Sequence, residues 1–330
     1  MNKIFKWGII GPGRIAQKFA AALEIVPNAT LHAVASRDLK KARQFAATYK
    51  APFFYDNYET LADNPDIDAV YIATPHTFHH AHVLLCLKKK KAVLCEKPMS
   101  VNFASTAEMI LAARQNNVFL MEAMWTRFLP IIDKTMQLIK EGEIGEVKYL
   151  SADFGFVAPF DAKSRLYDLA LGGGSLLDVG IYPLFLALFI LGKPDNIKAF
   201  SHLAATGADE TTSAILFYKN GTMANILSSI TAQTPITAEI TGTKGTIILD
   251  RPWYKGASIR VRKNDVITKT FSLPYGENGF EFQVMEVQKC LEQGLTESDA
   301  MSPGFSLLLS EVMEDIYGMS NIAYKIQPLV

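Results

Sequence analysis

The feature that most constrains this chain sits at its start, where a short apolar run meets a glycine-rich turn. Lys6–Ile10 reads as a strand, Gly11-Pro12-Gly13-Arg14-Ile15-Ala16 follows, and Arg14–Glu24 has helical character. The turn fits G-x-G-x-x-[G/A]. The first glycine permits a tight turn, the second lets a pyrophosphate approach the backbone, and the small Ala16 lets the helix pack close to the sheet. The first helical turn then offers unpaired N–H groups to phosphate. Gly11, Gly13, Arg14 and Ile15 are therefore expected to line a dinucleotide site. The alternation continues with strands at Thr30–Ala35, Ala69–Ala73, Ala92–Cys95 and Val118–Met121. Helices are expected at Leu39–Tyr49, Tyr58–Ala62, His79–Lys89 and Ser105–Gln115. That order predicts a doubly wound parallel sheet.

The end of the second strand indicates which dinucleotide is taken. NAD selection needs a carboxylate there for the ribose hydroxyls. This chain has Ser36-Arg37, then Asp38 beyond the strand end, where a carboxylate equally suits a helix cap. The Ser36 hydroxyl, the Arg37 guanidinium and Lys41 one turn further on suit a 2′-phosphate. NADP is expected over NAD.

A length of 330 residues, 49% of them hydrophobic, suits two domains, read here as 1–122 and 123–330. The second begins with a helix at Ile131–Lys140, a strand at Glu146–Phe156 and a buried helix at Leu176–Leu191. Strands run from Ile197 to Phe271, with turns at Lys219-Asn220-Gly221 and Gly242–Gly245. Helices follow at Gly279–Gln293 and Gly304–Met319. This predicts an open-faced, mainly antiparallel sheet with helices on one face, and a homodimer through the other. Leu176–Leu191 carries Asp178, Gly180 and Pro183 and falls short of a bilayer span, so no membrane is expected. Lys+Arg and Asp+Glu balance at 33 each, which gives no electrostatic case for nucleic acid. Three widely spaced cysteines, Cys86, Cys95 and Cys290, read as reduced thiols of a cytoplasmic protein. His76, His79, His80 and His82 crowd together with no carboxylate or thiol to complete a metal site, so no metal is expected.

Reactive groups gather where the strands end. Thr74-Pro75-His76 follows one strand at the carboxyl edge, where open α/β sheets bind ligands, and Glu96-Lys97-Pro98 follows the next. Lys97 there would point an ammonium toward a nicotinamide and stabilise a neighbouring acid or reacting oxygen. Asp178 and Tyr182 stand at i and i+4, on one side of a helix. A tyrosine begins near pKa 10 and needs a cation beside it to act as a base at neutral pH. Trp125, Arg127, Phe154 and Phe280 are candidates for the wall around a sugar or diol ring.

Together, Gly11–Ala16, Thr74-Pro75 with His79, Glu96-Lys97-Pro98, Gly172–Gly180 and Gly242–Thr246 resemble the Gfo/Idh/MocA oxidoreductases over nearly the whole chain. Met121–Phe128 and Ser36-Arg37-Asp38 resemble the branch of dimeric dihydrodiol and NADP-dependent D-xylose dehydrogenases. The resemblance implies a Rossmann domain followed by an open-faced sheet domain. It implies Thr74, Pro75, His79, Glu96 and Lys97 around the cofactor, with Lys97 catalytic. Many members have His four residues after the position of Asp178. This chain has Tyr182, as in the dihydrodiol branch, where the tyrosine is taken as the general acid/base. The implied reaction is hydride transfer between nicotinamide and a carbinol or carbonyl carbon of a polyol, sugar or trans-dihydrodiol. An NADP-sensing protein without catalysis is the competing reading; the joint presence of Lys97, Asp178 and Tyr182 argues against it.

Overall fold

The computed structural model describes residues 3–329. By internal contact the chain forms two compact units. One comprises residues up to Trp125, Gly276–Leu307 and the segment from Ile326; the other comprises Thr126–Tyr275 and Leu308–Lys325. A division in chain order alone, at 122/123, therefore does not see that a later segment returns to the first unit.

The first unit is built on six parallel strands: β1 (Phe5–Ile10), β2 (Ala29–Ala35), β3 (Phe53–Tyr55), β4 (Ala69–Ile72), β5 (Ala92–Glu96) and β6 (Leu120–Ala123). Their order is β3-β2-β1-β4-β5-β6, the Rossmann arrangement. The sequence reading missed β3, which is three residues long and begins with Phe53, 41% exposed, so it lacks the apolar run that marks the others. Helices α1 (Arg14–Ile25), α2 (Leu39–Thr48), α3 (Tyr58–Asp63), α4 (His79–Lys88) and α5 (Phe103–Asn116) connect the strands. Burial on both faces follows from the near-continuous apolar strands. Trp7 meets Phe19 of α1 edge-on at 5.2 Å, and Phe19 stacks on Tyr71 at 3.8 Å. The late segment packs α8 (Phe280–Glu292) near α1, and Thr296 O accepts the Leu120 N–H at 3.2 Å. The sequence reading had assigned that helix to the second domain.

The second unit carries α6 (Pro130–Lys140), α7 (Ile181–Leu191) and eight strands: β7 (Val147–Gly155), β8 (Asn196–Leu203), β9 (Asp209–Phe217), β10 (Met223–Ser229), β11 (Ala238–Gly242), β12 (Gly245–Leu249), β13 (Ser258–Lys263) and β14 (Val266–Ser272). The order is β14-β13-β12-β11-β7-β10-β9-β8. All neighbours are antiparallel except β7 and β10. Strand alternation sorts the two faces. Leu150, Ala152, Leu216, Ala224, Ile226 and Ile240 are buried on the face that meets α7. Across the outer face, Phe200 pairs with Ser213 and Ile215 with Asn225, and Phe200 is 85% exposed. The hairpin expected at Lys219–Gly221 joins β9 to β10, with Gly221 at φ +82.

The apolar tract that ends in α7 is longer than the sequence reading had it. Leu169–Leu191 is long and apolar enough by composition to cross a membrane, and 78% of its window is buried within the protein, as in a core helix.

Candidate active site

In the first unit, β1 delivers the chain into the glycine turn. Gly11 adopts φ +88, and a Cβ there would stand 3.0 Å from the Ala73 carbonyl. Only glycine holds that geometry without strain. Gly13 caps α1 with no side-chain hydrogen bond, and the space a Cβ would fill is open. Arg14 is exposed, Ile15 half-buried and Ala16 fully buried against the sheet. The first N–H groups of α1 have no partner in their own helix. An open cradle over Gly13 beside such donors fits a pyrophosphate.

At the end of β2, the Ser36 hydroxyl accepts the Asp38 N–H at 3.2 Å. The Asp38 carboxylate accepts the N–H groups of Lys40 and Lys41 at 2.9 and 3.3 Å, so it caps α2. That engagement ties up the Asp38 carboxylate, while Arg37 beside it is exposed. Its guanidinium lies 5.7 Å from the Phe78 ring, and Arg37, Tyr58, Thr74, Pro75, Phe78 and His82 line one small hollow. The Lys41 side chain is exposed on α2. A fixed cation over an aromatic-edged hollow fits a 2′-phosphate with its adenine.

Next to this hollow, β5 ends in Glu96, and the Lys97–Pro98 peptide is cis. Lys97 is 7% exposed and Glu96 5%. The Glu96 carboxylate accepts a short hydrogen bond from Tyr71. Burial pushes its pKa up to about 7, against the opposing pull of Lys97 and Tyr71. The two ring nitrogens of His79 face Pro98 O and Thr74 O, each at 2.9 Å. Burial holds the His79 pKa below its usual value. A neutral ring has one N–H to donate, so it serves one of these carbonyls at a time. His82 is also buried, which pulls its pKa down to about 3, and its Nδ1 lies 3.0 Å from the Thr74 hydroxyl. Trp125 and Phe280 belong to this unit too, where they stack on each other at 5.0 Å, 4% and 1% exposed.

In the second unit, Gly173 and Gly174 of the triple glycine are sterically required. A Cβ on Gly173 would come within 2.8 Å of Asp168 N, and Gly174 sits at φ +134. The buried Asp209 carboxylate secures the next residues, accepting the Ser175 hydroxyl at 2.6 Å and the Leu176 N–H at 2.8 Å. Leu176–Gly180 winds as a π-helical turn before α7. The sequence reading put Asp178 and Tyr182 on one face of a regular helix, whereas the π-helical turn interrupts that helix before Tyr182. Pro183 is the third residue of α7, in the first turn, where no intrahelical N–H is needed.

Asp178 accepts two bonds from Arg165, Nη1–Oδ1 2.8 Å and Nη2–Oδ2 3.2 Å. Tyr182, 5% exposed, sits among aromatic rings, with centroids at 5.5 Å to Phe154 and 5.3 Å to Tyr254. Phe154 and Tyr254 stack at 4.1 Å. Arg127 pairs with Asp133 at 2.9 Å and lies 4.5 Å from the Phe189 ring. The structure therefore groups Phe154 with Tyr182, whereas Arg127 is engaged by Asp133 and Phe189. Among the described residues, no group of three or more His, Cys, Asp or Glu is placed to hold a metal ion.

Residues 5–124 match the model of the oxidoreductase family with an NAD-binding Rossmann fold, and residues 132–248 match the GFO/IDH/MocA C-terminal domain. A trans-1,2-dihydrobenzene-1,2-diol dehydrogenase of Xenopus laevis is 39% identical over 328 residues, covering 97% of this chain and 99% of that protein. The chain belongs to the Gfo/Idh/MocA oxidoreductase family. A Homo sapiens protein of the same name is 35% identical, covering 94% of this chain and 95% of its own. An aldose–aldose oxidoreductase from Caulobacter crescentus, complexed with glycerol, superposes with TM-score 0.87 at 25% identity, covering 97% of this chain and 98% of its own. A 3-ketoreductase from Actinomadura kijaniata, in complex with NADP and TDP-benzene, shares the fold at TM-score 0.87 and 24% identity, covering 98% and 99%.

Within this Gfo/Idh/MocA chain, sequence reasoning missed Arg165, Tyr254 and Tyr71. An aspartate in so apolar a run signals that a partner must exist. Nothing in the irregular loop around Arg165 marks it as that partner. Tyr254 lies in a short 3-10 turn, Trp253–Lys255, with no periodicity to place it beside Phe154.

Proposed function

We propose that this Gfo/Idh/MocA oxidoreductase is an NADP-dependent dehydrogenase acting on the CH–OH group of a trans-dihydrodiol or sugar. The observation that carries the reading is the placement of the Tyr182 phenol against Phe154 and Tyr254, directly after a π-turn whose Asp178 is held by Arg165. The dehydrogenases similar over nearly the full length and the sugar oxidoreductase of like fold support the substrate class. The engagement of Asp38 as the cap of α2 and the exposed Arg37 support NADP over NAD.

Gly11, Gly13 and the first turn of α1 would hold the pyrophosphate, and Arg37 the 2′-phosphate. The nicotinamide, when bound, supplies a two-electron acceptor or donor. In oxidation, Tyr182 as its phenolate takes the substrate hydroxyl proton as the carbinol hydrogen leaves with its electron pair for that acceptor. Lys97 offers an ammonium to the oxygen that gains negative charge. Phe154 and Tyr254 present ring faces to the apolar side of a cyclic diol or sugar.

NADP mixed with a panel of trans-dihydrodiols and aldoses tests the reading. Growth of the reduced-nicotinamide absorbance is expected, with loss of roughly 100-fold or more in kcat in Tyr182→Phe and in Lys97→Met. NADP binding without turnover across the panel would leave a nucleotide sensor instead.

The outer sheet face, with Phe200 and Ile215 exposed, supports a homodimer formed through it. Sedimentation should give a dimer and Phe200→Lys a monomer; a wild-type monomer removes the idea. Cys86, Cys95 and Cys290 are buried free thiols, which supports a reducing, cytoplasmic setting.

A further inference from the structure

The turn that carries Lys97 is gripped from two sides by buried titratable groups. His79 reaches Pro98 O on one side. On the other, Glu122 of β6 accepts the Met99 N–H on Oε1 at 2.8 Å. Glu122 stands beside Cys95 in the β5–β6 register and is 2% exposed. Cys95 Sγ donates weakly to Met99 O at 3.7 Å. A buried backbone N–H needs an acceptor, and here a buried side chain of β6 supplies it, so the place of Met99 depends on Glu122.

We infer that Glu122 is a positioning residue for Lys97: by pinning Met99 opposite the His79–Pro98 contact, it fixes the turn from which the ammonium projects. The inference rests on the reading of Lys97 as the group that stabilises developing charge. Glu122 itself need not touch substrate or cofactor. Burial pushes its pKa up to about 7, while the Met99 N–H and the Lys97 charge pull the other way.

The test uses the full chain with Glu122→Leu, Glu122→Gln, Lys97→Met and the Leu/Met double variant; Glu122→Asp replaces the leucine variant should that one fail to fold. The first readout is hydrogen exchange of the 15N-methionine-labelled Met99 amide without cofactor. The second is kcat and KM for NADP. Glu122→Leu is expected to speed Met99 exchange about tenfold or more and to lower kcat about tenfold, with KM for NADP within about threefold. Glu122→Gln, which keeps an acceptor, restores both. In the Lys97→Met background the leucine substitution costs less than about twofold further, because its effect runs through Lys97. Unchanged Met99 exchange in Glu122→Leu overturns the inference, as does a kcat loss of equal size in both backgrounds. Wild-type kcat in Lys97→Met overturns the role given to Lys97 instead. Exchange at Met99 still decides in that case whether Glu122 holds the turn.

Discussion

Arg165 grips Asp178 through two parallel hydrogen bonds, although the arginine side chain is 55% exposed and the aspartate only 11%. Removing the guanidinium leaves a mostly enclosed carboxylate without its bidentate partner. Arg165→Met should lower stability by about 1 kcal/mol, the low end for such a loss because the arginine is half in water. Adding Asp178→Asn should recover part of it. Urea titration of the two variants checks this, and equal midpoints for wild type and Arg165→Met would dismiss the pair as a constraint.

On the proposed reading, Arg37 separates the two nicotinamide dinucleotides. Arg37→Ala should weaken NADP binding on the order of tens of fold, the size of a lost charge-assisted contact, and change NAD binding by about twofold or less. Calorimetric titration with each dinucleotide reads the difference. Equal losses for both would show that Arg37 serves the hollow's shape and not a phosphate.

Two buried carboxylates make stability fall as pH rises toward neutrality. Glu96 and Glu122 are each raised from 4.5 to about 7, chiefly by burial. The folded state therefore holds more protons than the unfolded one between those values, so their favourable contribution is complete below about pH 4.5 and lost through pH 7. Each accounts for a few kcal/mol at most. Glu96→Gln/Glu122→Gln should flatten the unfolding free energy across that window, as followed by urea titration at several pH values. An unchanged slope would mean that neither acid stays protonated in the fold.

Two glycines with positive φ should respond very differently to alanine. At Gly174 a Cβ would fall 2.2 Å from Asp209 Oδ1, whereas at Gly221 it meets open space. Gly221→Ala should cost about 1 kcal/mol of backbone strain. Gly174→Ala adds a clash with the carboxylate that anchors Ser175 and Leu176, so about 3 kcal/mol or more is expected. Thermal melting ranks the two, and equal losses would contradict the steric account.

The parallel sheet and its phosphate turn were legible because apolar runs and glycines act locally. Lys6–Ile10 and Gly11–Ala16 carry their own instructions. The three-residue β3 was not legible, since Phe53–Tyr55 is paired by its neighbour β2 and not by its own pattern. The π-turn at Leu176–Gly180 escaped for a similar reason. Its cause is remote: Asp209, more than 30 residues away, takes the hydrogen bonds of Ser175 and Leu176. Asp178 and Tyr182 could be singled out by residue type, but Arg165 and Tyr254, which surround them, are brought in by tertiary packing alone.

The return of Gly276–Leu307 to the first unit bears on how this protein can be dissected. Thr296 O takes the Leu120 N–H on the outermost strand of the parallel sheet, and Arg114 pairs with Glu297 at 2.7 Å. A fragment ending at Trp125 would keep every strand of the dinucleotide fold yet present β6 as a raw, sticky margin open to pairing with other molecules. A soluble minimal nucleotide binder would have to splice the 276–307 stretch back on.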